Sequence, residues 1–238
     1  MTGAVLHLAG VSKDYRGLRP LRIDELVVAA GEQVAILGLD QVSAEVFINL
    51  VTGATLPDRG DVTLFGRASS AIADSRDWLA LVDRFGIVSE RAVMLEAMSV
   101  IQNLSMPFTL DIEPPPPDVR ARAEAIAREV GLPDRTWDQP VGDLDPVARV
   151  RLRTGRAVAL DPDVLLMEHP SAGVPRGEIA ALGADLGALA AARGAAIVAA
   201  TGDVEFADAV ARRVLVHDAA SGRLTERRAR RGWFGRRA

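Results

Sequence analysis

A short apolar run between two glycines, followed by a stretch with helical periodicity, constrains this chain more than any other feature. The run at residues 34–37 lies between Gly31 and Gly38 and is typical of a buried strand. Gly38 permits a sharp turn. Downstream, apolar residues fall on one face of a predicted helix: Val46, Phe47, Leu50 and Val51. The sequence therefore predicts a strand, a glycine turn and a helix, which is the setting that a phosphate-binding loop needs.

The segment at residues 35–66 resembles the first nucleotide-binding motif of ABC-transporter ATPases, and further landmarks of that family follow in order. They are Asn103, Leu144, a predicted helix at residues 151–162, a strand end at residues 165–170, and Thr201 with Asp203. The resemblance covers about residues 4–222. It implies an α/β fold, with a P-loop NTPase (RecA-like) core, an ABC-type antiparallel β subdomain and a helical subdomain at about residues 85–155.

The residues that would hold ATP in that family are replaced here. Where the family has G-x-x-G-x-G-K-[ST]-[ST], this chain reads Gly38-Leu39-Asp40-Gln41-Val42-Ser43-Ala44-Glu45-Val46. Ala44 stands at the lysine position and Glu45 at the Mg²⁺-ligand position, and Lys13 is the only lysine in the chain. The missing lysine removes a charge-assisted bond of about 1.5–3 kcal/mol. A carboxylate ~5 Å from a phosphate adds repulsion of about 3 kcal/mol at an effective dielectric near 20.

The acidic residues of this loop have an alternative use. Asp40 is predicted to cap the helix in the place of a phosphate, and Glu45 to lie in the first turn, where negative charge is favoured. We therefore expect no cofactor, although the resemblance implies ATP and Mg²⁺.

The other catalytic positions of the family are altered as well. Glu90 replaces a glutamine that senses Mg²⁺, and Gly202 replaces a histidine that contacts the γ-phosphate. Glu168 holds the position that orients Mg²⁺, and His169 that of the glutamate that polarises the attacking water. A histidine can act as a base near neutral pH, but here it has no bound nucleotide to act on. Because adjacent strand residues point to opposite faces, Glu168 and His169 are not expected to form a metal site.

The signature loop of the family, L-S-G-G-Q, is replaced by Leu144-Asp145-Pro146-Val147-Ala148. In the family this loop contacts the γ-phosphate of ATP bound to the other subunit, which Asp145 would repel. Asp145 followed by Pro146 favours the N-cap and first position of a helix. The pattern predicts that the helix start is kept and the phosphate contact is lost.

Two groups of residues have alternative interpretations. Tyr15 matches by position an aromatic residue that stacks on adenine in the family, or it is an ordinary surface or edge-strand aromatic. Met94, Met98 and Met106 lie in a region that in the family faces the membrane partner, or they fill the core.

Composition limits the class of protein. The 238 residues are 49% hydrophobic and 25% charged, which is typical of a globular protein. No apolar run reaches the ~18–20 residues of a membrane span, and no signal-peptide pattern begins the chain. Without cysteine, the chain has no disulfides or thiolate zinc sites. We expect a cytoplasmic protein, peripheral at the inner face of the membrane.

Charge separates the two ends of the chain. Residues 1–222 are predicted to form one ABC-type nucleotide-binding domain, and residues 223–238 a flexible basic tail with seven arginines and one glutamate. The tail could contact anionic lipid through its arginines and the Trp233-Phe234 pair, or be solvated. Nucleic-acid binding is not expected, because the chain carries a net charge of −4.

The leading functional hypothesis is an ABC-transporter subunit that docks on a membrane permease without hydrolysing ATP and has a structural or regulatory role. A homodimer and a heterodimer with another ABC subunit both stay open. One alternative is a slow ATPase that uses Tyr15 and His169. Another is a freestanding binding module that uses the degenerate cleft.

Overall fold

The largest element of the protein is a six-stranded sheet. The computed structural model describes residues 3–227, and the strand order of this sheet is β10-β9-β3-β8-β7-β6. All neighbouring pairs are parallel except β9 with β10. Its strands are β3 (Gln33–Leu37), β6 (Phe85–Val88), β7 (Val164–Glu168), β8 (Ala196–Thr201), β9 (Arg213–His217) and β10 (Leu224–Glu226).

A smaller antiparallel sheet lies beside it, with the order β2-β1-β4-β5. Its strands are β1 (Ala4–Lys13), β2 (Leu21–Ala29), β4 (Arg59–Leu64) and β5 (Arg67–Ala68). The seven α-helices of the described residues are α1 (Gln41–Val51), α2 (Ser75–Val82), α3 (Val100–Ser105), α4 (Pro117–Glu129), α5 (Pro146–Val158), α6 (Arg176–Arg193) and α7 (Val204–Val210). The strand predicted at residues 34–37 corresponds to β3, and the helix predicted downstream of it corresponds to α1.

The large sheet separates two hydrophobic cores, because alternate residues of its buried strands face opposite sides. Ile36 and Leu166 pack in the core that includes α1 and the small sheet. Leu37 and Met167 pack in the core that includes α3–α7. The parallel pairing aligns Val88 with Met167, and Leu37 with Thr201. The carboxyl ends of β6, β7, β3 and β8 therefore meet at one edge of the sheet, where parallel sheets commonly bind ligands.

Two boundaries differ from the sequence-based expectation. β6 is a strand of the large sheet, so the helical part begins after Val88 rather than at residue 85. Leu224–Glu226 form β10 beside β9, so the prediction of a flexible tail from residue 223 is wrong for these residues. Residues 228–238 of the tail, with Trp233 and Phe234, lie outside the described residues, as does the predicted lipid contact of that pair. Within residues 3–227, no helix combines the length and the apolar character that crossing a bilayer requires.

Candidate functional site: the N-terminal end of α1

Helix α1 begins immediately after Asp40, and Asp40 is its N-cap. The carboxylate oxygen Oδ1 of Asp40 accepts hydrogen bonds from the hydroxyl of Ser43 at 2.6 Å and from its backbone N–H at 2.8 Å. These hydrogen bonds lower the pKa of Asp40 below its usual 3.8, and the bond from the hydroxyl has the largest effect. The predicted cap is confirmed. Residues 41–43 form the first turn of the helix instead of an open loop around a phosphate.

Gly38 makes the turn between β3 and α1. Its φ of +95° lies in a region that L side chains rarely adopt. A Cβ atom at this position would lie 2.7 Å from the carbonyl oxygen of His217, at the end of β9. The glycine is therefore required for close packing of the protein's own backbone, whether or not a ligand approaches.

The side chain at the lysine position belongs to the hydrophobic core. Ala44 is completely buried and lies in the same cluster as Phe47. Val46 packs against that cluster, whereas Val42 is 53% exposed. The helix thus presents neither a cation nor a metal-binding hydroxyl at the two positions where ATP and Mg²⁺ would require them.

Glu45 does not lie in the first turn of α1. That turn contains no acidic residue, and the expectation for Glu45 was wrong because the helix begins at Gln41. Its carboxylate oxygen Oε1 instead lies 2.8 Å from Nη1 of Arg91, in the loop after β6. The charge of Glu45 is balanced by this guanidinium and has no role in capping the helix.

Arg91 also binds a second carboxylate, that of Glu168 at the end of β7. Its Nη2 and Nε donate to Oε2 of Glu168 at 2.8 Å and 3.1 Å. The side chain of Glu168 is fully buried, whereas that of Arg91 is 41% exposed. One arginine therefore bridges α1 and β7 across the edge of the sheet.

Two polar side chains also donate hydrogen bonds to the carboxylate of Glu168. The hydroxyl of Ser89 donates to its Oε2 at 2.8 Å, and Nε2 of Gln41 donates to its Oε1 at 2.9 Å. Both carboxylate oxygens are thus hydrogen-bonded, which a buried charge requires. We call Gln41, Glu45, Ser89, Arg91 and Glu168 the Arg91 network. The carboxylates of Glu45 and Glu168 face one guanidinium, and Asp40 adds a third carboxylate at the same end of α1, so the charge of these four groups is negative.

Arg91, Ser89 and the role of Gln41 were not predicted from the sequence. A signal was present, because Ser89 and Arg91 directly follow β6 and Glu168 ends β7, its neighbour in the sheet. Arg91 and Glu168 are 77 positions apart in the sequence, so their proximity can be inferred only once the strand order is known.

His169 lies beyond the end of β7 with a φ of +44°, and its N–H donates to the carbonyl of Ala200 at 2.8 Å. The argument from strand alternation against a metal site at Glu168 and His169 was therefore wrong, because His169 is not a strand residue. Its Nε2 is buried without a hydrogen-bond partner in the described part of the chain. Among the residues described, no three His, Asp or Glu side chains cluster as metal ligands would.

The signature segment begins a helix, as predicted. Oδ1 of Asp145 accepts from the N–H of Ala148 at 2.7 Å, and Pro146 is the first residue of α5. Leu144 is buried, and Arg149 donates to the carbonyls of Gly142 and Leu144 at 3.0 Å and 3.3 Å. The polar groups of this loop are thus used within the chain, and Val147 packs against the core.

The remaining candidate residues take no part in the Arg91 network. Glu90 is exposed, with a guanidinium nitrogen of Arg153 at 3.9 Å. Gly202 is exposed and precedes Asp203, which caps α7 through the N–H of Phe206 at 3.0 Å. Tyr15 is partly buried against the core that includes the small sheet. None of the three makes a hydrogen bond or ion pair to the network in the described structure.

Comparison with solved structures defines the fold. CbiO1 of Clostridium perfringens, which is part of the ABC transporter complex CbiONQ, matches with a TM-score of 0.78 at 21% identity, over 93% of this chain and 87% of that one. A dimeric ATP-binding cassette bound to ADP and phosphate matches with a TM-score of 0.74 at 18% identity, over 93% and 97%. The fold is that of an ATP-binding cassette, with a P-loop NTPase core.

Sequence comparison gives the relatives. The lipoprotein-releasing system ATP-binding protein LolD of Chromohalobacter salexigens is 29% identical over 226 residues, which is 93% of each chain. No family model matches the chain. The chain is thus similar in sequence to ABC-transporter ATP-binding proteins, in this case over nearly its whole length.

Proposed function

We propose that this protein is an ATP-binding-subunit-like component of an ABC transporter that docks on a membrane permease and does not hydrolyse ATP. The observation that carries the proposal is the Arg91 network together with the Asp40 cap, which use the nucleotide end of α1 for contacts within the chain. A triphosphate would have to displace Asp40 from its helix N–H and approach two further carboxylates. The expected role is structural or regulatory.

The signature segment supports the absence of ATP hydrolysis in a dimer as well. Asp145 caps α5 and is exposed, so a nucleotide held by another subunit would meet a carboxylate where the family presents a glycine-rich loop. The chain would then contribute neither half of a composite ATP site. ATP-driven closure, in a homodimer or with another ABC subunit, is not expected.

A groove between the sheet and the helical part supports docking on a protein partner. It has a volume of about 410 Å³ and is lined by apolar residues that include Met94, Met106 and Leu160. Arg153 and Arg156 also line it, and burial lowers the pKa of both guanidinium groups. Half-buried cations beside apolar side chains suit a permease segment with apolar and acidic residues.

Purification from solubilised membranes of the native host tests the proposal. A tagged protein should recover a multi-spanning permease, identified by mass spectrometry. Leu160→Asp, at a 56% exposed residue of the groove, should reduce that recovery severalfold, because it places a carboxylate against the apolar contact. The matched control is Leu56→Asp, at a 49% exposed residue outside the groove, which should not. Recovery of the tagged protein without any permease would contradict the proposal.

A further inference from the structure

The loop that follows β6 joins the nucleotide end of α1 to the groove. Ser89 and Arg91 belong to the Arg91 network, and Ala92 and Met94 line the groove. The backbone is tied locally as well: the N–H of Arg91 donates to the hydroxyl of Ser89 at 3.1 Å, and that of Ala92 to the carbonyl of Ser89 at 3.2 Å. A displacement of Arg91 would therefore move residues on both surfaces.

Arg91 is the only cation that bonds to Glu45 or Glu168 in the described residues. Without its guanidinium, the fully buried carboxylate of Glu168 would keep only two neutral partners, Ser89 and Gln41. Removing one partner of a buried ion pair is strongly unfavourable, because the remaining charge is uncompensated. The charge of Glu168 therefore holds Arg91, and with it the loop, against the edge of the sheet.

We propose that Arg91 is a built-in lock that fixes the loop at residues 89–95, and the adjoining wall of the groove, in one conformation without nucleotide. The chain's own cation bridges the carboxylates of α1 and β7, so the position of the loop does not depend on an external ligand at this end of the helix. The inference rests on the proposed function, in which the groove receives a partner. It adds that the partner meets the same surface whether or not ATP and Mg²⁺ are present.

Amide hydrogen exchange of the full chain, followed by mass spectrometry, tests the lock. Arg91→Ala should accelerate exchange of the amides of residues 91 and 92 by about a hundredfold. Opening of the loop becomes more favourable in this variant, because it exposes to water the carboxylate of Glu168, which has lost its guanidinium partner. Arg91→Lys, which keeps the charge but cannot form the same fork, should give an intermediate acceleration. Millimolar ATP with Mg²⁺ should leave the exchange of wild-type residues 89–95 unchanged.

The matched control is Arg67→Ala, since Arg67 is 44% exposed and bonds to Asp77 at 2.6 Å, outside the network. It should leave residues 89–95 unaffected. If Arg91→Ala does not fold, Glu45→Gln serves instead, because this 43% exposed side chain forms only the outer half of the bridge; about fivefold faster exchange is expected. Exchange in these variants no faster than in Arg67→Ala, or slowing of the wild-type loop by ATP and Mg²⁺, would overturn the lock. The exchange rates of the variants concern the loop alone, so permease recovery stays a separate test of the proposed function.

Discussion

At the scale of single residues, Asp40 supplies the negative charge that a helix N-terminus favours. The first N–H groups of a helix lack partners within it, and a carboxylate or a phosphate can accept from them. At the start of α1 the carboxylate of Asp40 accepts hydrogen bonds from both the N–H and the hydroxyl of Ser43. An intramolecular anion thus satisfies a donor that ATP-binding loops offer to phosphate.

Replacing Asp40 tests how much the cap stabilises the fold. Asp40→Ala should lower the free energy of unfolding by about 1 kcal/mol near neutral pH, because it leaves the N–H of Ser43 without its acceptor. Asp40→Asn is the matched control. Because asparagine also caps helices, this change should lower the free energy of unfolding by only a few tenths of a kcal/mol. Denaturant unfolding of the three proteins measures the difference. An unchanged midpoint for Asp40→Ala would show that the cap contributes nothing.

The same variant has a predicted pH dependence. The hydrogen bonds from Ser43 lower the folded-state pKa of Asp40 below 3.8, so its stabilisation is present above that pH and is lost as the pH falls through the folded-state pKa. The difference between wild type and Asp40→Ala should therefore be constant from neutral pH to about pH 5 and shrink below the usual carboxyl pKa. A difference that grows in acid would contradict this assignment.

Arg91 illustrates why a single-residue interpretation of the motif was incomplete. The sequence shows which cation and hydroxyl are missing from the nucleotide motif, but it does not show what replaces them. The replacement comes from a different strand end, after β6, and becomes a neighbour only through the parallel pairing of β6 with β7. The replacement of the phosphate-binding residue types is visible in residues 38–46, whereas the source of the substitute contacts is not.

At the scale of elements, the local signals at helix starts were reliable. Asp40 and Asp145 each cap a helix, as their sequence context predicts, because the cap depends on residues only three positions apart. The prediction that Glu45 lies in the first turn was wrong by part of a turn, because the sequence did not show that α1 begins at Gln41. β10 was missed because a three-residue strand in a basic segment has little apolar pattern, and pairing with β9 determines its conformation.

Close packing between β6 and α5 gives a prediction for the elements that support the groove. A Cβ atom on Gly86 would lie 2.4 Å from the carbonyl oxygen of Ala157, a backbone atom that cannot easily shift. Gly86→Ala should therefore lower the free energy of unfolding by about 1–3 kcal/mol through overpacking. Gly202→Ala is the control, because a Cβ there meets nothing within 4 Å. Thermal unfolding of both variants measures the effect, and equal stabilities would show that β6 and α5 are less tightly coupled than these distances indicate.

At the scale of the whole molecule, the parallel sheet explains why residues from distant parts of the sequence meet at one site. The ends of β3, β6 and β7 meet at one edge, so Asp40, Arg91 and Glu168 lie near each other although they come from distant parts of the sequence. The apolar patterns and family landmarks were sufficient to predict this α/β framework. The hydrophobic cores of this framework use the apolar residues of both sheet faces, and Ala44 at the lysine position is one of them.

We propose that this chain does not bind ATP, and calorimetry tests that proposal most directly. The purified protein should be titrated with ATP and Mg²⁺ at millimolar nucleotide, beside an ATP-binding cassette with intact motifs as the positive control. The account predicts no saturable heat, corresponding to a Kd weaker than about 1 mM. Saturable binding with a Kd well below that value would contradict it, and would show that Ala44, Glu45 and the Asp40 cap do not exclude nucleotide.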